Sequence, residues 1–159
     1  MGNKIGTPVP FEGILPVSNL ASESLESLWL SYTLNGEAYG LELVDMTAIF
    51  ESASFFMEAT QLNATDMSTL FEIFDTDTNG VIDALELFVT LAFISGMTAS
   101  QKIDYIFRVY DFTQSGEMTL DEVVLMMRSA TSGLDKIQPA ISGGSFTQDI
   151  VAAAAGPAF

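Results

Sequence analysis

The sequence predicts an all-α protein built from helix–loop–helix units, on three observations. Apolar residues recur at spacings of three and four through most of residues 22–135. No run reads as an alternating strand. Two twelve-residue polar stretches, 75–86 and 111–122, sit between apolar helices and begin 36 residues apart, as duplicated units do. The expected arrangement is two lobes with only short bridges between loops.

The elements follow in order. Residues 1–20 form an extended arm, since Pro8, Pro10 and Pro16 with Gly2, Gly6 and Gly13 forbid a regular helix. Its Phe11, Ile14 and Leu15 either pack on a domain or a partner, or belong to a plain tail. Residues 21–62 form a first helical unit: Ser22 caps a helix carrying Leu25, Leu28, Trp29 and Tyr32 on one face. A Gly-containing break at 35–40 separates it from a helix over about 42–57. Residues 63–96 form the second unit, with Met67, Leu70, Phe71 and Phe74 on the helix before the loop and an apolar helix after it. In the third unit, residues 97–133, Thr98 and Gln101 make a capping box. The helix they open runs to Tyr110, and the one after the second loop ends near Ser132–Gly133. Residues 134–159 read as loop plus a short helix.

Composition narrows the chemistry. Twenty-one acidic residues face five basic ones, giving a net charge of −16. That surface repels phosphate backbones, so nucleic acid is excluded as a partner; cations and basic segments are attracted. Without Cys or His, disulfides, thiolate catalysis and imidazole ligation are absent, and any metal is a hard cation held by oxygen. No nucleophile constellation is visible, so an enzyme is not expected. The N-terminus lacks a basic start followed by an apolar core, so a cytoplasmic protein is expected.

Asp75-Thr-Asp77-Thr-Asn79-Gly80-Val81-Ile82-Asp83-Ala-Leu-Glu86 matches a calcium loop at every ligand position. Asp75, Asp77 and Asn79 supply side-chain oxygens at positions 1, 3 and 5, and Val81 a carbonyl at 7. Asp83 at 9 works through a water, and Glu86 at 12 closes the shell with both oxygens. Gly80 permits the turn, and Ile82 at position 8 can pair with a neighbouring loop. An acidic interhelical turn is the plainer reading, and the complete pattern outweighs it. In the second loop Asp111, Gly116, Met118 and Glu122 occupy positions 1, 6, 8 and 12. Thr113, Ser115 and Thr119 bring hydroxyls to 3, 5 and 9, and Glu117 a carbonyl to 7. With fewer charged ligands this is the weaker site, the alternative being a loop that keeps its shape empty.

From Phe74-Asp75 through Glu86-Leu87-Phe88, Ser95-Gly96-Met97-Thr98 and Lys102-Ile103 to Tyr110-Asp111, the chain resembles EF-hand proteins of the neuronal calcium sensor, calcineurin B and calaxin type. The likeness covers about residues 22–135. It implies four hands with a degenerate first one, placed here at Asn35 to Met46, which has Gly40 but no position-1 Asp and no position-12 Glu. No acidic loop follows residue 123, so the fourth hand is lost or the chain is shorter than its relatives. Members are often N-myristoylated, which makes Gly2 a candidate site, although Gly6 stands where Ser or Thr is preferred. A membrane partner is expected only if Gly2 is acylated.

The helix Leu85 to Ile94 is apolar nearly all round, and seven internal methionines add adaptable surface, although core filling explains some of them. With a mean hydropathy of +0.35 this suggests a protein partner. Phe88, Leu91, Phe107, Met126 and Met127 are the expected lining of a groove for a helical segment. Three functions follow. One is a calcium sensor that opens this groove; a second is a calcium-independent structural subunit of a large assembly such as a ciliary one; a third is a buffer. Phe146, Ile150 and Val151 could fill the groove from within the chain.

Overall fold

The computed structural model describes residues 19–35 and 38–141. Gly2, Phe11, Ile14 and Leu15 of the arm, and Phe146, Ile150 and Val151, lie outside the described residues. In order come α1 (Ser22–Asn35), β1 (Gly40–Leu41), α2 (Leu43–Ser52), α3 (Ser54–Thr60), α4 (Ala64–Phe74), β2 (Ile82–Asp83), α5 (Ala84–Ile94), α6 (Ala99–Tyr110) and α7 (Leu120–Ile141). The fold is all-α, with a single short antiparallel bridge among the described residues, pairing Leu41 with Ile82 and Gly40 with Asp83. None of these helices is long and apolar enough to cross a membrane.

Local chemistry sets most boundaries. The Thr98 hydroxyl accepts from the Gln101 amide at 3.2 Å while Gln101 Oε1 accepts from the Thr98 amide at 3.0 Å, so the expected capping box opens α6. An Asn63–Asp66 box starts α4 in the same way, at 2.8 and 3.0 Å. The single helix expected over 42–57 is two. Ala53 leaves helical geometry (φ −88°, ψ 80°), and the turn it makes brings Phe50 and Phe56 edge to face at 5.0 Å, both buried.

The core is one cluster running from Leu20 to Ile137, so the helical units meet across shared packing instead of standing apart as lobes. α5 lies at its centre. Every residue from Ala84 to Ala92 is buried, against α1, α6 and α7 of the same chain. Its all-round apolar character therefore marks a central helix, not a face awaiting a partner. Phe88 is buried against Trp29 (5.4 Å) and Tyr32 (5.0 Å), and Leu91 is equally enclosed. Phe107 and Met126 are half-buried, and Met127 alone of the expected groove lining is exposed. These five residues thus form no open groove in this structure.

Gly133 does not end the last helix. α7 continues for two more turns to Ile141, and Gly133 is where it crosses α5. A Cβ there would lie 1.8 Å from Thr90 Oγ1 and 3.1 Å from the Glu86 carbonyl oxygen. Thr90 is itself fixed, donating to that same carbonyl at 2.7 Å. The missing side chain lets the helices approach closely, and Ile137, one turn on, enters the core with no exposure.

Gly133→Ala gains about 1 kcal/mol of helix propensity, but overpacking at such a crossing costs about 1–3 kcal/mol. A net loss is expected in urea unfolding. Adding Thr90→Ala to Gly133→Ala should recover part of it, because the clash is with the Thr90 hydroxyl.

Candidate metal loops

Both loops adopt the same backbone. Asp75 and Asp111 terminate the helices before them with nearly the same angles (φ −89°, ψ 65° and φ −84°, ψ 74°). At position 4, Thr78 (φ 53°) and Gln114 (φ 55°) are left-handed, and at position 6 so are Gly80 (83°) and Gly116 (84°). These values are unfavourable for residues other than glycine unless the surroundings impose them. The position-1 carboxylates impose them. Asp75 accepts from the amides of Asn79 (3.1 Å) and Gly80 (2.9 Å); Asp111 accepts from Ser115 (3.2 Å) and Gly116 (3.0 Å). At position 5, Asn79 Oδ1 accepts from the Val81 amide at 2.9 Å, and Ser115 Oγ from the Glu117 amide at 3.2 Å. Asp77 adds a 3.3 Å contact to the Asn79 amide, and Thr113 reaches Asp111 Oδ1 at 3.5 Å. Asp83 and Thr119 at position 9 cap the following helices, accepting from Glu86 and Glu122 at 3.1 and 3.2 Å.

The position-12 glutamates are both buried, and they differ. Glu122 folds back, its Oε2 accepting from the Thr119 amide at 3.2 Å. Glu86 Oε1 lies 2.7 Å from Lys136 Nζ of α7, an ion pair without hydrogen-bond alignment, with side chains 8% and 22% exposed. Lys136 also donates to the Phe74 carbonyl at 3.0 Å, at the open C-terminal end of α4. Among the described residues no three acidic side chains gather at a spacing that would hold a metal ion; the carboxylates are turned onto amides and onto Lys136. No motif marks Lys136. The signal for it is its place three residues after Gly133, visible only if the helix is carried through that glycine.

Ile82 at position 8 pairs with Leu41 in the segment read as a degenerate hand. Tyr39 beside it contacts the Phe112 ring (5.9 Å), so the second loop also leans on this segment. Met118, the equivalent of Ile82, is half-buried and has no strand partner among the described residues.

No family model and no solved structure matches the chain. Calcium-binding protein J of Dictyostelium discoideum is 37% identical over 54 residues, 34% of this chain and 28% of that protein. Calcium-dependent protein kinase 9 of Oryza sativa subsp. japonica is 31% identical over 114 residues, 72% of this chain and 19% of the kinase. The chain thus spans less than a third of the length of either relative.

Three buried tyrosines give a pH prediction. Burial, with the nearby Tyr39 and Asp83 charges, pushes the Tyr32 phenol up to about 12. Burial also raises Tyr105 and Tyr110, the latter donating to the Leu85 carbonyl at 3.2 Å. Raised folded values mean that the neutral phenol is favoured in the fold. Its contribution is complete below the unfolded value near pH 10 and is lost as pH rises towards 12. Phenolate absorbance from these three should therefore rise together with loss of helical circular dichroism, not before it.

Proposed function

We propose that the chain is an EF-hand calcium-binding protein whose loop 75–86 is its principal site. Asp75, Asp77, Asn79, Asp83 and Glu86 supply side-chain oxygens there, directly or through water, and Val81 supplies its carbonyl. The observation carrying this reading is the shared loop backbone. Two segments 36 residues apart, with different ligand side chains, take the same sequence of helix end, left-handed position 4 and left-handed position 6. An acidic turn serving only as a connection has no reason to repeat that geometry. The donor set of carboxylates, one amide oxygen and one carbonyl suits a hard cation. Both relatives, one a calcium-binding protein by name and the other a calcium-dependent kinase, support the choice of ion. Loop 111–122, with Asp111 and Glu122 as its charged ligands, is the weaker site. The kinase's catalysis is not carried over; this chain's role is to bind.

The response is that of a sensor. Drawing Glu86 to the ion moves the start of α5 relative to α4 and disturbs the packing of Phe88 on Trp29, exposing apolar surface for a protein segment. The partner is basic, given the net charge of −16. A second reading, a calcium-independent clamp within a larger assembly, is favoured by one fact: Glu86 is charge-paired with Lys136 of α7, which ties the loop to the last helix.

Calorimetric titration with calcium should give a site of about micromolar affinity, typical of sensors. Glu86→Gln should weaken it more than about tenfold, since a charged ligand is lost, and Glu122→Gln should leave it in place. Trp29, the single tryptophan, should change its emission as the site fills. Calcium binding with silent Trp29 and no uptake of an apolar dye would favour a buffer or the clamp over the sensor.

A further inference from the structure

Resting on the reading of 75–86 as a calcium loop, we infer that Lys136 is a built-in competitor for that ion, and that the end of α7 is a latch which calcium releases. Lys136 touches both sides of the hand. Its ammonium donates to the Phe74 carbonyl, the last residue of the entering helix, and lies 2.7 Å from Glu86, two residues past the start of the exiting helix. A cation at a helix C-terminus is favoured by the helix dipole, and one beside a buried carboxylate is favoured by charge. A single side chain therefore staples α4 to α5 across the loop, fixing the angle that a hand changes when it opens.

The staple is placed by the crossing at Gly133. With no Cβ there, α7 comes close to the Glu86–Thr90 turn. Three residues later the same face of α7 presents Lys136, and four residues later Ile137. Carboxylate, ammonium and apolar anchor are thus one contact, made by the same two turns of helix. The second loop has no counterpart, since Glu122 is held by its own Thr119 amide.

The pairing suits a contact that has to be given up. Lys136 and Glu86 are close enough to offset each other's burial, yet Glu86 Oε1 makes no aligned hydrogen bond. A divalent ion ringed by Asp75, Asp77 and Asn79 offers Glu86 twice the charge and a bidentate geometry. Once Glu86 turns to the ion, Lys136 keeps the Phe74 carbonyl but loses its charged partner, so the end of α7 is held less tightly, with Ile137 and the half-buried Leu134 among its remaining anchors. Calcium occupancy at one end of the hand is so converted into freedom of a helix end that carries apolar residues.

The test compares calcium titrations of the parent chain with Lys136→Gln, Lys136→Arg and Arg128→Gln. Arg128 is an exposed cation two turns earlier on α7, so Arg128→Gln makes the same charge change away from the loop. Lys136→Gln should bind calcium at the first site about tenfold more tightly, because Glu86 then has no ammonium to leave. Arg128→Gln and Lys136→Arg should stay within about twofold of the parent. In the parent, calcium should speed amide hydrogen exchange over residues 134–141, a readout that needs no variant to fold. Equal affinities for Lys136→Gln and Arg128→Gln, or binding with unchanged exchange over 134–141, would overturn the latch while leaving the loop reading intact. Calcium bound by neither the parent nor any variant would instead refute the loop reading, and the latch with it.

Discussion

Compensation of the loop carboxylates is the constraint on which the rest of this fold depends. Twenty-one acidic residues share five basic ones, so most negative charge must be met by something other than a side-chain cation. In the loops it is met by backbone amides. Asp75 and Asp111 each collect two N–H groups, and doing so forces the left-handed turns at positions 4 and 6. The few cations are placed with economy. Lys136 serves Glu86 and the end of α4. Lys102 donates to the Phe93 carbonyl near the end of α5 at 2.7 Å, and burial lowers its pKa. Arg108 pairs with Glu26 and joins α6 to α1. Each of the three ties one helix to another.

Those ties matter because α5 has no solvent face to anchor it. A helix buried on all sides is held by shape, and its neighbours are positioned from outside by polar contacts. Trp29, Tyr32 and Phe88 form a three-ring contact that sets α1 against α5, with centroids 5.0–5.4 Å apart. Gly133 sets α7 from the opposite direction. Movement of α5 at its Glu86 end therefore strains ring packing on one side and a close helix crossing on the other. That is why a change confined to one loop would be felt through much of the core.

Much of this was legible in the sequence, and the parts that were not share a cause. The loops were readable because position-specific ligands and a glycine leave a linear signature, and the Thr98–Gln101 box because capping is local. The family resemblance puts a degenerate hand at Asn35 to Met46, and Leu41, within that segment, pairs with Ile82. What misled was tertiary. Gly133 reads locally as a helix stop, and only the approach of Thr90 turns it into a crossing. The all-apolar α5 reads as a surface in need of a partner until the other helices are laid around it. Lys136 was invisible because its role depends on both.

The two loops show how one motif takes two characters without a change of backbone. A position-12 glutamate must be satisfied when no ion holds it, since it is buried in both hands. Glu122 is satisfied locally, by an amide three residues back, while its loop touches the rest of the chain through the Phe112 ring and through Met118, which packs against the core. Glu86 is paired remotely, by a residue 50 positions further along the chain. Local satisfaction confines the consequence of ion binding to the loop, whereas remote pairing sends it wherever the distant partner sits. The fuller set of charged side chains and the remote partner fall on the same loop, so on the proposed reading an ion would bind where its structural reach is longest.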